Sequence, residues 1–419
     1  MSELNFPLLR AVDVRRVEQD GAPFFLLRDP LHLGDQQLHV SQLFGPALAL
    51  FDGSNAIDDI AALVRTQYGL PMESRHVQSL ADALDEACML ESPRFRQRYA
   101  EAVTAFRCAP SRPPALAGSG YPAERDDLEA LLQSLLDAAD DVEPAPVDWA
   151  QGVGLLSPHI DYGRGGPVYA QVWKRAANAV AGADVAVIFG TDHFGNDLFT
   201  LTRQSYATPY GTLSTDTAVV DALAAALGEQ AAFAGELRHR GEHSLELVAV
   251  WLHHMRGGMR GGMRAGKPLP IVPILVGSLQ HHMENGAVPQ DDPQLAAALA
   301  ALKSATAGRR VLYVASGDLA HVGPAFGGAP LYDAQRAMVR RADSALLHPM
   351  LEGNAAAFFA EIKRVQNRNN VCGVTPIYLT LRALGTVRGT QLGYAHCPAD
   401  DAGTSIVSVA GVMFQGKAP

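Results

Sequence analysis

Four short aliphatic runs, separated by longer segments with helical spacing, do most to limit what this chain can fold into. Val153–Leu156, Val185–Phe189, Ile271–Val276 and Val311–Ala315 carry no charged residue. A strand with one wet face alternates polar and apolar positions, so uninterrupted runs of this kind read as strands covered on both faces. With helices between them, they predict an α/β sheet flanked by helices. Each run leads into a loop rich in reactive groups: SPHIDYGRGG, GTDHFG, GSLQHH and SGDLAHVG, in that order. Ligands of open α/β sheets sit beyond the carboxyl ends of the strands, which nominates these loops.

A chain of 419 residues exceeds what one hydrophobic core usually spans, so two domains are expected. The first hundred residues read as a small α+β unit, with strands near Phe24–Arg28 and Leu38–Ser41. Helices are expected near Gln42–Phe51, Ala56–Tyr68 and Val77–Met89. In the second of these, Ile57, Ile60, Ala61, Val64 and Tyr68 share a face, with Asn55 placed to cap and Gly69 to end the helix. The stretch CAPSRPPALAGSGYP has no periodicity and marks a crossing between domains. We divide the chain into residues 1–106 and 107–419.

The formal net charge of -10 argues against nucleic acid as a partner, because that affinity rests on clustered Lys and Arg. The start offers no signal-peptide pattern, and no apolar stretch is long enough to span a bilayer. Four separated cysteines without a CxxC pair suit a reduced setting, so cytoplasm is the expected location and no membrane partner is expected. The repeat MRGGMRGGMRAGK, residues 255–267, reads as a mobile surface insertion, with a basic flap over an anionic ligand as the alternative.

Metal sites need a few imidazole, thiolate or carboxylate donors carried by rigid elements. His159 and His193 follow strand ends directly, so neighbouring strands could aim both rings into one crevice, although either His could instead be structural. Asp318 precedes His321 by three residues, as in an acid/base pair whose carboxylate orients the imidazole; equally, Asp318 could cap a helix while His321 packs. Glu242, His243 and Glu246 open a strongly amphipathic helix, where acids also suit the positive helix end. Cys372 precedes a helix whose Pro376 suits a first turn, a place that stabilises a thiolate, but a buried inert Cys fits too. The pairs His253–His254 and His281–His282 read as surface histidines.

Taken in order, AGSGYP, SPHIDYGRGGPVYA, IFGTDHFG, GEHSLE, VPILVGS, SGDLAHVG and VCGVTPI resemble the successive signature blocks of the Memo family, which includes protein B of the AmmeMemoRadiSam group. The blocks span residues 115–376. That family's fold is similar to class III extradiol dioxygenases, which hold Fe(II) with two His and one Glu and use a further His as acid/base. In Memo proteins a Cys replaces the Glu. The resemblance implies His159, His193 and Cys372 as metal ligands and His321 with Asp318 as catalytic residues. The chain departs from the animal members, which read His-Ala-Gly-Tyr and His-His where it has His159-Ile160-Asp161-Tyr162 and His193-Phe194. Tyr162, Arg164, Asp192, Glu242 and His243 are the expected substrate-binding residues. The N-terminal unit resembles a PqqD-type winged helix over residues 20–95, which implies binding of a ribosomal precursor peptide at a sheet edge.

These readings lead to a mononuclear metal-dependent oxidoreductase, dioxygenase-like, with Fe(II) as the expected metal and copper as the alternative. Its substrate would be a small molecule or a recruited peptide. The rival is a non-catalytic copper- or peptide-binding partner of a radical or peptide-modifying enzyme.

Overall fold

The computed structural model describes residues 3–19, 21–34, 36–139, 141–258 and 268–416. The chain forms two compact units, Met1–Ala109 and Pro110–Pro419.

In the first unit, strands β1 (Asp13–Gln19), β2 (Ala22–Arg28) and β3 (Leu38–Ser41) make an antiparallel sheet in that order. The helix Ile57–Tyr68 buries Ile57, Ile60, Ala61 and Val64, the stripe its spacing predicts, and Gly69 closes it at φ 67°. Asn55 does not cap this helix. Its amide bonds Asp52 and Ser54, and Ala56 holds the cap position without a side-chain bond. Ser74–Glu86 follows, and Pro93–Cys108 runs up to the crossing segment.

The second unit is built on an eight-stranded mixed sheet. Its strands are β4 (Val153–Ser157), β5 (Val185–Thr191), β6 (Thr200–Leu201), β9 (Ile271–Val276), β10 (Val311–Ser316), β11 (His321–Val322), β12 (Val387–Pro398) and β13 (Ile406–Gly416). A separate hairpin joins β7 (Tyr206–Thr208) to β8 (Gly211–Leu213). The sheet order is β11-β13-β4-β10-β5-β9-β6, with β12 paired to β13. The four aliphatic runs form its parallel centre, while β13 lies antiparallel to β4 and β6 antiparallel to β9.

The aliphatic runs are explained by helices on both faces. Successive side chains of a strand point to opposite sides, so Val187 and Phe189 join one core, with Phe358 and Ile377, and Ala186 and Ile188 join the other, with Trp173 and Trp251. The helix His243–His253 is not the amphipathic surface helix that its sequence suggests, because every residue from Ser244 to His253 is buried. His254 and His282 are buried as well, so of the two histidine pairs only His281 is exposed. Most of the Met/Arg/Gly insertion, residues 259–267, lies outside the described residues. Among the described residues no helix is long and apolar enough to cross a membrane.

Candidate metal centre

Register aligns the strand ends that carry the site. Ser316 of β10 pairs with Ser157 of β4 on one side and with Gly190 of β5 on the other. The two histidine-bearing strands are therefore not neighbours, since β10 runs between them. His159 emerges two residues past β4 and His193 two residues past β5, so both rings converge from either side on the loop that follows β10. Cys372 reaches the same place from the turn before the helix Val374–Leu384.

Two glycines allow that approach. A Cβ at Gly317 would stand 2.5 Å from Gly373 Cα, and one at Gly373 would stand 2.8 Å from Asp318 O. With no side chain at either position, the Gly373 amide donates to Asp318 O at 3.0 Å. The Thr191 hydroxyl donates to Cys372 O at 3.0 Å and fixes the turn from the β5 side. Thr191 gave no sign of this role in the sequence.

One donor atom from each of His159, His193 and Cys372 lies within 4.8 Å of the other two. His159 Nε2 is 3.1 Å from Cys372 Sγ. His159 is only 1% exposed, whereas the His193 side chain is 25% accessible, so the site has a buried floor and an open rim. His243 completes the group, its ring stacked on His193 with centroids 4.6 Å apart.

Buried Glu242 organises these rings. Its carboxylate lies 3.0 Å from His193 Nδ1 and 3.1 Å from His243 Nδ1, and accepts from the His193 and Ser244 amides at 3.0 and 2.9 Å. Bonding at Nδ1 leaves His193 Nε2 for another ligand, the usual arrangement of an imidazole held by a carboxylate behind it. Arg112, which spacing did not single out, donates to Glu242 O at 3.0 Å and ion-pairs with Glu246. Glu246 is spent there, also accepting from the Tyr121 hydroxyl and the Ala115 and Leu116 amides.

The electrostatics follow from burial and these partners. Burial, helped by His193 and His243, holds His159 well below its ordinary range, leaving it neutral with a lone pair to offer. Burial opposes charge on His193 too, but Glu242 and then Cys372 overcome it and hold this imidazole well above its usual value. Against the same burial penalty, His193 and His243 keep Glu242 well below the usual carboxylate range. Burial pushes the Cys372 thiol up, although His193 draws it the other way. The buried thiol sits 3.1 Å from the neutral His159 ring, and a cation between them would favour its thiolate. The donor set fits a transition metal on these grounds.

Asp318 and His321 do not form the expected pair. Asp318 Oδ1 accepts from the His159 amide at 2.9 Å, and its Oδ2 lies 3.8 Å from His159 Nε2. Burial raises Asp318 to about 6. His321 bonds through Nδ1 to Leu319 O at 3.1 Å, which assigns the proton to Nδ1 and leaves Nε2 as an acceptor. Burial pushes His321 down to about 4, so it is neutral near pH 7.

The expected substrate residues divide. Glu242 and His243 belong to the site. Arg164 bonds Asp161 at 2.5 Å and Pro398 O at 3.0 Å. Tyr162 is a core residue, its hydroxyl donating to Leu247 O at 2.6 Å and its ring stacked on Tyr121. Asp192 is buried and ion-paired with Arg238 at 2.7 Å, which leaves it a structural anchor rather than a substrate contact.

Comparison with known proteins agrees with this architecture. A MEMO1 family protein of Methanosarcina barkeri is 26% identical over 292 residues, 68% of this chain and 92% of that protein. Another, from Thermus thermophilus, is 25% identical over 339 residues, 81% of this chain and 93% of its own length. The relative from Archaeoglobus fulgidus is 26% identical over 308 residues, covering 73% of this chain and 99% of itself. The family described as Memo-like protein matches residues 112–413, from the arginine that braces the Glu242 loop to the end of the β13 core. The chain belongs to the Memo family.

Proposed function

We propose that the second unit is a mononuclear metal-dependent oxidoreductase with Fe(II) held by His159, His193 and Cys372. The observation that carries this reading is the convergence of the three donor atoms within 4.8 Å beyond the strand ends. Three protein ligands leave positions for exogenous ones, as catalytic sites require. Iron there would supply O₂ and electron-transfer chemistry, made more reducing by a thiolate donor. The chain's own part is to hold and to move protons. Glu242 fixes the His193 ring, Asp318 fixes the His159 backbone, and neutral His321 accepts a substrate proton at Nε2. Anaerobic reconstitution of wild type and Cys372→Ala with Fe(II) or Cu(I), followed by metal analysis and O₂ uptake, tests it. Wild type should retain about one equivalent of iron more than Cys372→Ala; equal retention in both would remove Cys372 from the ligand set.

A donor set of two imidazoles and a thiolate, without a carboxylate, also suits copper. Retention of Cu(I) in preference to Fe(II), with no O₂ uptake, is the outcome that favours a non-catalytic copper-binding protein.

The first unit supports a recruitment role. Among the described residues β3 pairs only with β2, so its outer edge can accept an extended peptide as a further strand. Replacing Val40 by Pro, which removes a backbone donor from β3, should abolish binding of a leader peptide in a fluorescence-anisotropy titration. Unchanged affinity would remove that edge from the recruitment role.

A further inference from the structure

The loop leaving β9 enters a short helix, Gln280–Glu284, that carries His281 and His282. A longer helix, Pro293–Ala305, begins at Asp292. One donor atom from each of His281, His282 and Asp292 lies within 4.8 Å of the other two.

Helix capping accounts for only half of Asp292. Its Oδ1 accepts from the Gln294 and Leu295 amides at 2.8 and 3.1 Å, which satisfies the helix start. Its Oδ2 is turned away from the helix and hydrogen-bonded to His282 Nε2 at 3.0 Å. His282 is 1% exposed, yet among the described residues its Nδ1 has no hydrogen-bond partner. A lone buried polar atom costs roughly 1–3 kcal/mol, and capping of the neighbouring helix gives no reason to accept that. Burial, aided by His281, lowers His282 below its ordinary value, so the ring is neutral as a metal ligand must be.

His281 is exposed, and its ring centroid lies 3.7 Å from that of His282. Adjacent residues on an ideal helix diverge by roughly 100°, so two consecutive rings turned together are not a simple result of helix geometry. Beside them is a cavity of about 340 Å³ lined by Asn196, Asp197, Ser278, His281, Asp292 and Gln294, through which water and an ion can enter.

We propose that His281, His282 and Asp292 form a second metal site, for a zinc-class divalent cation, separate from the thiolate centre. Two imidazoles and a carboxylate without sulfur are a borderline donor set of the kind zinc accepts, with water from the cavity completing four-coordination. The ion would tie the loop after β9 to the start of the helix Pro293–Ala305. The inference rests on these residues alone and stands whether or not the first centre is an oxidoreductase.

Cobalt(II) separates the two centres in the full-length, metal-stripped protein. A cysteine-ligated Co(II) shows a thiolate charge-transfer band in the near ultraviolet, whereas a nitrogen and oxygen site shows only visible ligand-field bands. Cys372→Ala should lose the near-ultraviolet band and keep one equivalent of Co(II). Adding His281→Ala, a change at an exposed side chain, should abolish that equivalent and weaken Zn(II) binding more than about tenfold in competition with a chromophoric chelator. Asp292→Asn keeps a capping oxygen and should weaken Zn(II) in the same direction. If Cys372→Ala does not fold, wild type and His281→Ala are compared in the visible bands alone. Failure of the Cys372→Ala chain to bind Co(II), or binding that His281→Ala leaves unchanged, would overturn the proposal.

Discussion

At the scale of single residues, the centre depends on which atoms are already engaged. Glu242 accepts from His193, His243 and two amides while wholly buried, so His193 is held in one orientation and turned to Cys372. Glu242→Gln retains the shape and removes the charge. It should lower iron affinity about 10- to 100-fold, read by chelator competition. Unchanged affinity would show that the ring needs no such clamp. The convergence of His159 and His193 was legible because each follows a strand end. Cys372 was legible only through its family block, since a Cys before a helix is commonly inert. The partnership of Asp318 with His159, in place of His321, was not legible. Spacing of three residues describes a chain, but here Leu319 O captures the imidazole.

At the scale of elements, the close approach of two turns sets the position of the thiol. Gly317 and Gly373 face each other with no room for a Cβ. Gly317→Ala should displace the Cys372 turn, at an overpacking cost of about 1–3 kcal/mol. The expected result is a loss of metal retention with circular dichroism unchanged; full retention would show that the turn yields elsewhere. The parallel strands could be read because burial on both faces enforces apolar runs. β12 could not, since only two of its twelve residues are buried and it includes Gly389 and Gly393. Helix His243–His253 was misread for the converse reason: its Glu246, His253 and Ser244 look like a wet face, but Arg112, Thr208 and the β5 end receive them inside the protein.

For the molecule as a whole, buried neutral histidines link stability to pH. Burial lowers His239 to about 3 and, with Arg125 contributing for His253, lowers His253 and His254 to about 4, from 6.5. Above pH 6.5 these rings are neutral whether folded or not and favour neither state. As pH falls from about 6.5 toward 4 the unfolded chain takes up protons that the folded one refuses, so stability declines through that window, by at most about 3 kcal/mol per ring at His253 and His254. Urea midpoints measured at intervals from pH 7.5 to 4.5 should fall steadily below 6.5, and His254→Phe should flatten the slope by about one proton. A flat profile in the wild type would contradict the neutral assignment.

The antiparallel place of β13 has a consequence in time. β4, whose far end presents His159, lies between β10 and β13, and β13 is drawn from residues 406–416. Synthesis proceeds from the amino end, so β4 leaves the ribosome some 250 residues before the strand that covers its open side. Until then the histidine loop hangs from an unfinished edge, and its partner Cys372 has only just been made. The donor cluster is therefore among the last things the growing chain assembles, and an ion that it took would arrive only after residues 406–416 had been added.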